Sequence, residues 1–343
     1  MEPDPSAPAP PAPPLRATLS TKVVAVLTVL AFAAGFVLSA VLPEAEKEVR
    51  FGAAAAEGPQ VRDYFLEVKG ADIDMGEGKT WHAWTFNGTV PGPTITANVG
   101  DILRVTVKNT HNLMHSFHTH LSPYALDSDG SQLNIITGTG YMAMIGPGNS
   151  YTYQFTATVP GLFYYHCHSA DGGYGISQHM AQGLYGAIII KGPEEVPVRD
   201  EVVFMAETGF DKDKGAPFYI MNGHGLPGGE HRLEEIFGEG GIDAVVAQFG
   251  KTLPVITGKV GEPVRLSVVN IGDQIHSFHM HAMTAYFVDH DHGSAVPAQV
   301  LGLVPGEADR ILITPTEAGV WLFHCHVVSH ADAGMIGVFV VEA

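Results

Sequence analysis

Only two cysteines occur in the chain, and each stands between two histidines, as His166-Cys167-His168 and as His324-Cys325-His326. Along an extended strand successive side chains point to opposite faces. The two imidazoles of each triplet then share one face and the thiol takes the other, so a single triplet can serve two metal centres and join them through its own backbone. A disulfide between Cys167 and Cys325 is the competing reading, and the flanking histidines count against it. A thiolate flanked by imidazoles is a soft-ligand site.

Each triplet has an upstream companion of the form H-x-x-H-x-H: His115, His118 and His120 in the first case, His276, His279 and His281 in the second. Downstream of Cys325 lie His330 and Met335. With His276 they make two imidazoles, a thiolate and a thioether, which is the donor set of a blue (type 1) copper site. The first-half equivalents are His115, Cys167 and His179, and the position aligned with Met335 is Leu184. Without the thioether, a copper held there is expected to be three-coordinate and of higher potential. Eight imidazoles are left for the opposite face: His118, His120, His166, His168, His279, His281, His324 and His326. A lone histidine is ordinarily structural, but four H-x-H pairs point to metal, for which imidazole is the commonest ligand.

The elements that must position these groups are written twice. "VGDILRVTVKNTHNLMHSFHTH" (99–120) matches "VGEPVRLSVVNIGDQIHSFHMH" (260–281) without a gap, and "TVPGLFYYHCH" (158–168) matches "TEAGVWLFHCH" (316–326). "GLYGAIIIKG" (183–192) matches "GMIGVFVVEA" (334–343). The repeat implies two domains of one fold. Within each copy "ILRVTV" and "VRLSVV" alternate apolar and polar residues, "AIII" and "VFVV" read as buried strands, and turn signals separate them. Each half is therefore expected to be a β-sandwich. The halves are placed at 58–192 and 200–343, joined by the polar stretch "KGPEEVPVRDE" (191–201).

Composition narrows the partners. The 343 residues carry a formal charge of −18, which excludes nucleic acid and anionic membrane surfaces as natural partners. The 18 histidines equal all lysines and arginines together, again pointing to metal. Residues 1–22 begin with a Pro/Ala-rich tail that cannot build a core. Residues 23–43 form an uncharged apolar run, read as a single hydrophobic helix that either anchors the protein in a membrane or serves as a signal segment. Arg16 and Lys22 before the run and the glutamates after it put the tail in the cytoplasm and the body outside, anchored or secreted.

The four histidine motifs resemble those of the multicopper oxidases, and the length resembles the two-domain, small laccase-like group. The resemblance covers about residues 60–343 and implies an all-β fold of two tandem cupredoxin-like Greek-key sandwiches behind the N-terminal hydrophobic helix. It implies that His118 and His279 bind type 2 copper, and that His120, His166, His168, His281, His324 and His326 bind the type 3 pair. With a type 1 site in both halves, about five copper ions per chain are implied. So is a homotrimer, with the trinuclear cluster between subunits. Tyr124 and Asp129, four and nine positions after His120, match residues that lie beside the cluster in small laccases, where a carboxylate can relay protons to O2. The implied activity couples one-electron oxidation of phenols, aromatic amines or a redox protein to reduction of O2 to water. Two departures stand out: Cys167, His115 and His179 keep a type 1 set in the first half, and the step from Cys167 to His179 is 12 positions against 5 from Cys325 to His330. A copper nitrite reductase-like enzyme and a copper electron carrier are the alternatives. The first lacks counterparts of His168, Cys325 and His326 and has an aspartate where His118 stands; the second leaves eight histidines idle. His82, His111, His224, His231, His290 and His292 have no assigned part, and Met142 and Met144 read as core.

Overall fold

In the strand Ile102–Asn109, Leu103, Val105 and Val107 are wholly buried while the residues between them reach outward, so the sequence alternation becomes one core face and one outer face. The computed structural model describes residues 58–76, 78–131, 143–193, 198–208, 218–287 and 297–343. The tail, the apolar run 23–43, Met142, His290 and His292 lie outside the described residues. Among the described residues no helix is long and apolar enough to cross a membrane.

Each half is two facing sheets. In the first half one sheet orders Thr80–Phe86, Val61–Asp74, Ile102–Asn109 and Ser150–Thr156. The other orders Ile95–Asn98, Tyr185–Lys191, Gly161–His166 and His118–Thr119. The second half repeats the plan. Phe218–Met221, Arg199–Thr208, Val264–Asn270 and Ala308–Ile313 run in order, extended by two short strands, and face Val255–Lys259, Ile336–Glu342, Gly319–Cys325, His276–Met280 and Val300–Leu303. Parallel pairing of the opening strand with the fourth recurs in both halves, as Val61 opposite Ile102 and Arg199 opposite Val264. The protein is all-β with few helices, as its repeats and alternation imply.

The strand Val264–Asn270 departs from half-burial, since all seven residues are buried. Val264, Leu266 and Val268 face the sandwich core, while Val269 joins Phe204, Tyr164, Tyr185 and Trp81 in an apolar layer shared by the two halves. Tyr164 adds a hydrogen bond from its hydroxyl to the Gly306 carbonyl (2.8 Å). The helix Gly229–Val246 is a second departure from the strands that the repeats imply. Gly240 and Gly241 leave helical geometry and break its apolar period. Its residues Leu233, Ile236 and Val245 pack on Leu226, Leu253 and Ala331, and so brace the short helix Val328–Asp332 that carries His330.

Candidate metal centres

Strand register brings the motifs together. His118 lies directly opposite His166, and His279 opposite His324, on antiparallel neighbours. Since side chains alternate, the cysteine next to each paired histidine turns the other way, into the sandwich core. Cys167 and Cys325 are free, and both are fully buried.

At Cys167 the sulfur lies 3.5 Å from Nδ1 of His115 and 3.5 Å from Nδ1 of His179. His179 comes from the one-and-a-half-turn helix Ile176–Ala181 at the end of the long first-half loop. At Cys325 the corresponding distances are 3.9 Å to His276 and 3.8 Å to His330. The donor atoms of each trio lie within 4.8 Å of one another, and all six residues are buried. Cys167 N–H donates to the Leu184 carbonyl and Cys325 N–H to that of Met335, both at 3.0 Å, so the two positions are structural equivalents, and both side chains are fully buried. Burial pushes the Cys167 thiol up to about 11 and drives His115 down to about 2, helped there by the neighbouring His179 and His111 rings. The site thus favours uncharged groups until a cation arrives, and a thiolate with two neutral imidazoles fits copper.

The eight remaining imidazoles form two sets. His118, His120, His166 and His168 touch ring to ring, with centroids 4.8 to 5.8 Å apart. His279, His281, His324 and His326 do the same at 5.1 to 6.0 Å. Four carbonyls fix the tautomers. Nδ1 of His118 donates to Asp129 O (2.6 Å), His279 to Gln299 O (2.6 Å), His166 to Cys167 O (3.0 Å) and His324 to Cys325 O (2.9 Å). A carbonyl only accepts, so the proton sits on Nδ1 and each Nε2 keeps its lone pair for a metal. Nε2 of His120 lies 3.4 Å from that of His166, and Nε2 of His281 lies 3.0 Å from that of His324. Nδ1 of His168 is buried without a hydrogen-bond partner, as a ligand atom awaiting a cation would be. Burial, with the nearby rings, lowers His166 to about 3 and His120 to about 4, so both are neutral donors. Among the described residues the two sets share no ring contact or hydrogen bond, and His120, His281 and His326 are exposed.

Asp129 and Tyr124 lie beside the first set. The Tyr124 hydroxyl donates to Asp129 Oδ1 (3.1 Å), which lies 3.7 Å from Nδ1 of His118. Burial alone would raise the Asp129 carboxyl, but hydrogen bonds from Ser131 and Tyr124 hold it below its ordinary value. Tyr124 is pushed up to about 12 by burial and by the Asp129 charge.

Four residues around the thiol sites escape sequence reasoning. His111 Nδ1 lies 2.8 Å from Nε2 of His115, and Trp84 packs its indole against His111, His115 and His179. In the second half Glu207, 1% exposed, sets Oε1 3.2 Å from Nε2 of His276, close but not aligned as a hydrogen bond. Tyr219 stacks on His330 at 4.4 Å. His111 was visible as a histidine four positions before a ligand candidate; Glu207, on a distant strand, gave no signal.

The sequence matches two models of the multicopper oxidase family, over residues 67–195 and 232–343. The chain belongs to that family. Among curated relatives, a probable nitrite reductase-hydroxylamine oxidoreductase fusion protein of Kuenenia stuttgartiensis is 27% identical over 81% of this chain and 31% of its own length. Laccase-2 of Botryotinia fuckeliana is 31% identical over 74% of this chain and 41% of its own. This chain thus spans less than half of either. A solved multicopper oxidase structure superposes with a TM-score of 0.64 at 25% identity, covering 82% of this chain and 89% of the other, which fits two cupredoxin-like sandwiches.

Proposed function

We propose that the protein is a laccase-like oxidase that couples one-electron oxidation of a reducing substrate to four-electron reduction of O2 to water. The observation that carries this reading is the pair of four-histidine sets, each with ring nitrogens already freed for metal by carbonyl hydrogen bonds. His115, Cys167 and His179 would hold one type 1 copper, and His276, Cys325, His330 and Met335 another. His118 and His279 would take the type 2 ion, and the other six histidines the type 3 pair, making about five ions per chain. Bound there, copper would supply one-electron acceptance at the thiolates and O2 reduction at the imidazoles. The chain supplies the path between them, since His166 and His168 adjoin Cys167 as His324 and His326 adjoin Cys325. Asp129, ionised and hydrogen-bonded to Tyr124, is placed to pass protons toward the His118 side.

Because each set offers four imidazoles and the two do not meet within the chain, the full cluster is read as forming between copies, in a homotrimer. The bodies at 58–192 and 200–343 then act as two halves of one interface. The body is read as lying outside the cytoplasm, held by or released from residues 23–43.

Kinship with nitrite reductases keeps a second reading in view. Copper content and acceptor use separate the two. The oxidase reading expects about five copper ions per reconstituted chain and one O2 consumed per four electrons. About two ions per chain, with nitrite and not O2 consumed, would replace it with a nitrite reductase; a stable blue protein that consumes neither would be a carrier.

A further inference from the structure

Beside the first thiol site the surface holds a cleft of about 400 Å³ whose walls include Gly70, Asp72, His82, Trp84 and His111. It is built on the hairpin of Val61–Asp74 and Thr80–Phe86, in which Gly70 pairs with Trp84 and Asp72 with His82. These four residues share one face of the hairpin. Opposite Trp84 there is no side chain, and a Cβ added at Gly70 would approach only the Ala83 carbonyl oxygen, at 3.9 Å. The hairpin therefore leaves a gap of side-chain size next to a half-buried indole.

Two contacts lead from this gap to the thiol site. The Trp84 ring centroid lies 5.0 Å from that of His179 and 5.7 Å from that of His115. His111, on the cleft wall, hydrogen-bonds His115 at 2.8 Å. The second half is closed on the matching side. Its residue aligned with His111 is Gly272, where an added Cβ would collide with Glu207 Oε2, and Glu207 is buried. Among the described residues, Glu207 fills the space that the first half leaves open.

Its charge selects the ligand. The walls carry the Asp72 carboxylate, bonded to His82 Nδ1 at 2.6 Å, and no lysine or arginine. An indole beside a carboxylate suits a flat ring that bears a positive charge. We propose that this cleft is the port at which a small cationic phenol or aromatic amine binds and gives up electrons to the first thiol site. The proposal rests on the oxidase reading for its redox role, though not for binding. With copper(II) held there, each phenol would lose one electron to it and its hydroxyl proton to water at the open mouth. Four such losses, with one O2, give four phenoxyl radicals and two waters.

The test uses tyramine, a phenol with an ammonium group, against 4-hydroxyphenylacetate, a phenol with a carboxylate. Calorimetry on the copper-free full chain is expected to show tyramine binding and no comparable binding of the anion. Gly70→Val, which fills the gap with a residue that strands favour, is expected to weaken tyramine by about tenfold or more. Asp72→Asn, at an exposed position, is expected to weaken it by about threefold. In the copper-loaded chain KM for tyramine should rise by the same factors while kcat stays within about twofold, the pattern of lost ground-state binding. Tyramine binding to copper-free Gly70→Val that equals wild type overturns the proposal whatever the enzyme does with O2. If the binding pattern holds but the loaded wild-type chain consumes no O2 with either phenol, the oxidase reading and the port role fall together and a ring-binding site remains.

Discussion

His276 sets Nε2 3.2 Å from a carboxylate oxygen of Glu207, whereas its counterpart His115 sets Nε2 2.8 Å from a second imidazole, His111. The surrounding turns are otherwise the same. Asn109 donates to Leu113 O and Ile145 O in the first half, and Asn270 donates to Gln274 O and Leu303 O in the second. Two positions after each asparagine the halves diverge, with His111 in one and Gly272 in the other. The space at Gly272 is taken by Glu207, which also accepts the N–H groups of Asp273 and Gln274. A carboxylate behind an imidazole makes it a stronger donor, and a thioether at Met335 adds to the same effect. The second thiol site should therefore stabilise oxidised copper better than the first.

Glu207→Gln tests this directly. In a Cys167→Ser background, where only the second thiol site can colour the protein, the substitution is expected to raise the reduction potential read by titrating the blue absorption. Met335→Leu should raise it too, and the intact first site, read alone in a Cys325→Ser background, should lie above the wild-type second site. A potential unmoved by Glu207→Gln would reduce Glu207 to a turn-holding residue.

Much of this is legible in the sequence, for identifiable reasons. The H-C-H spelling states its own geometry, because alternation on a strand is obligatory and the flanking rings must face away from the thiol. Equivalence of Leu184 and Met335 followed from the ungapped match and is met by identical backbone bonds to the two cysteines. Partners from other strands were not legible. Glu207 lies 69 positions before His276 and Trp84 lies 31 before His115, and only the fold's pairing brings them near. The helix Gly229–Val246 stayed hidden because Gly240 and Gly241 interrupt the period that would have announced it.

Asp129 makes a sharper prediction about oxygen chemistry. Its carboxylate, bonded to Tyr124 and near His118, is expected to matter for proton delivery and not for electron uptake. Asp129→Asn should lower the rate of O2 consumption by about a hundredfold while the blue band still bleaches with reductant at the wild-type rate. Stopped-flow bleaching alongside an oxygen electrode checks both halves of that statement, and equal slowing of the two would point to a disturbed fold instead.

Stability at low pH should turn in part on Asp101. Its buried carboxylate accepts the N–H groups of Gln60 (2.8 Å) and Asn98 (2.9 Å) and pairs with Arg62. Burial alone would raise its pKa, but these donors hold it below the ordinary 3.8. A carboxyl lowered on folding contributes stability above its unfolded value, and that contribution is lost as pH falls through the lowered folded value. Asp101→Asn should cost about 1–3 kcal/mol in urea unfolding at neutral pH. It should also flatten the fall in stability below about pH 4, and an unchanged acid slope would assign that fall to other carboxylates.

The separation of the two four-histidine sets carries the assembly prediction. A chain with His118→Ala and His120→Ala keeps only its second set intact, and one with His279→Ala and His281→Ala keeps only its first intact. His120 and His281 are exposed and His118 and His279 are half-buried, so both variants should fold. Each alone should be blue and unable to consume O2. If the cluster forms between copies, denaturing the two together and refolding them in equal amounts lets the intact first set of one chain meet the intact second set of the other. Random mixing places such a pair at about a quarter of interfaces, so O2 consumption should return to about a quarter of the wild-type rate. A cluster formed within one chain cannot be rescued this way, because every chain in the mixture lacks two of its eight ligands.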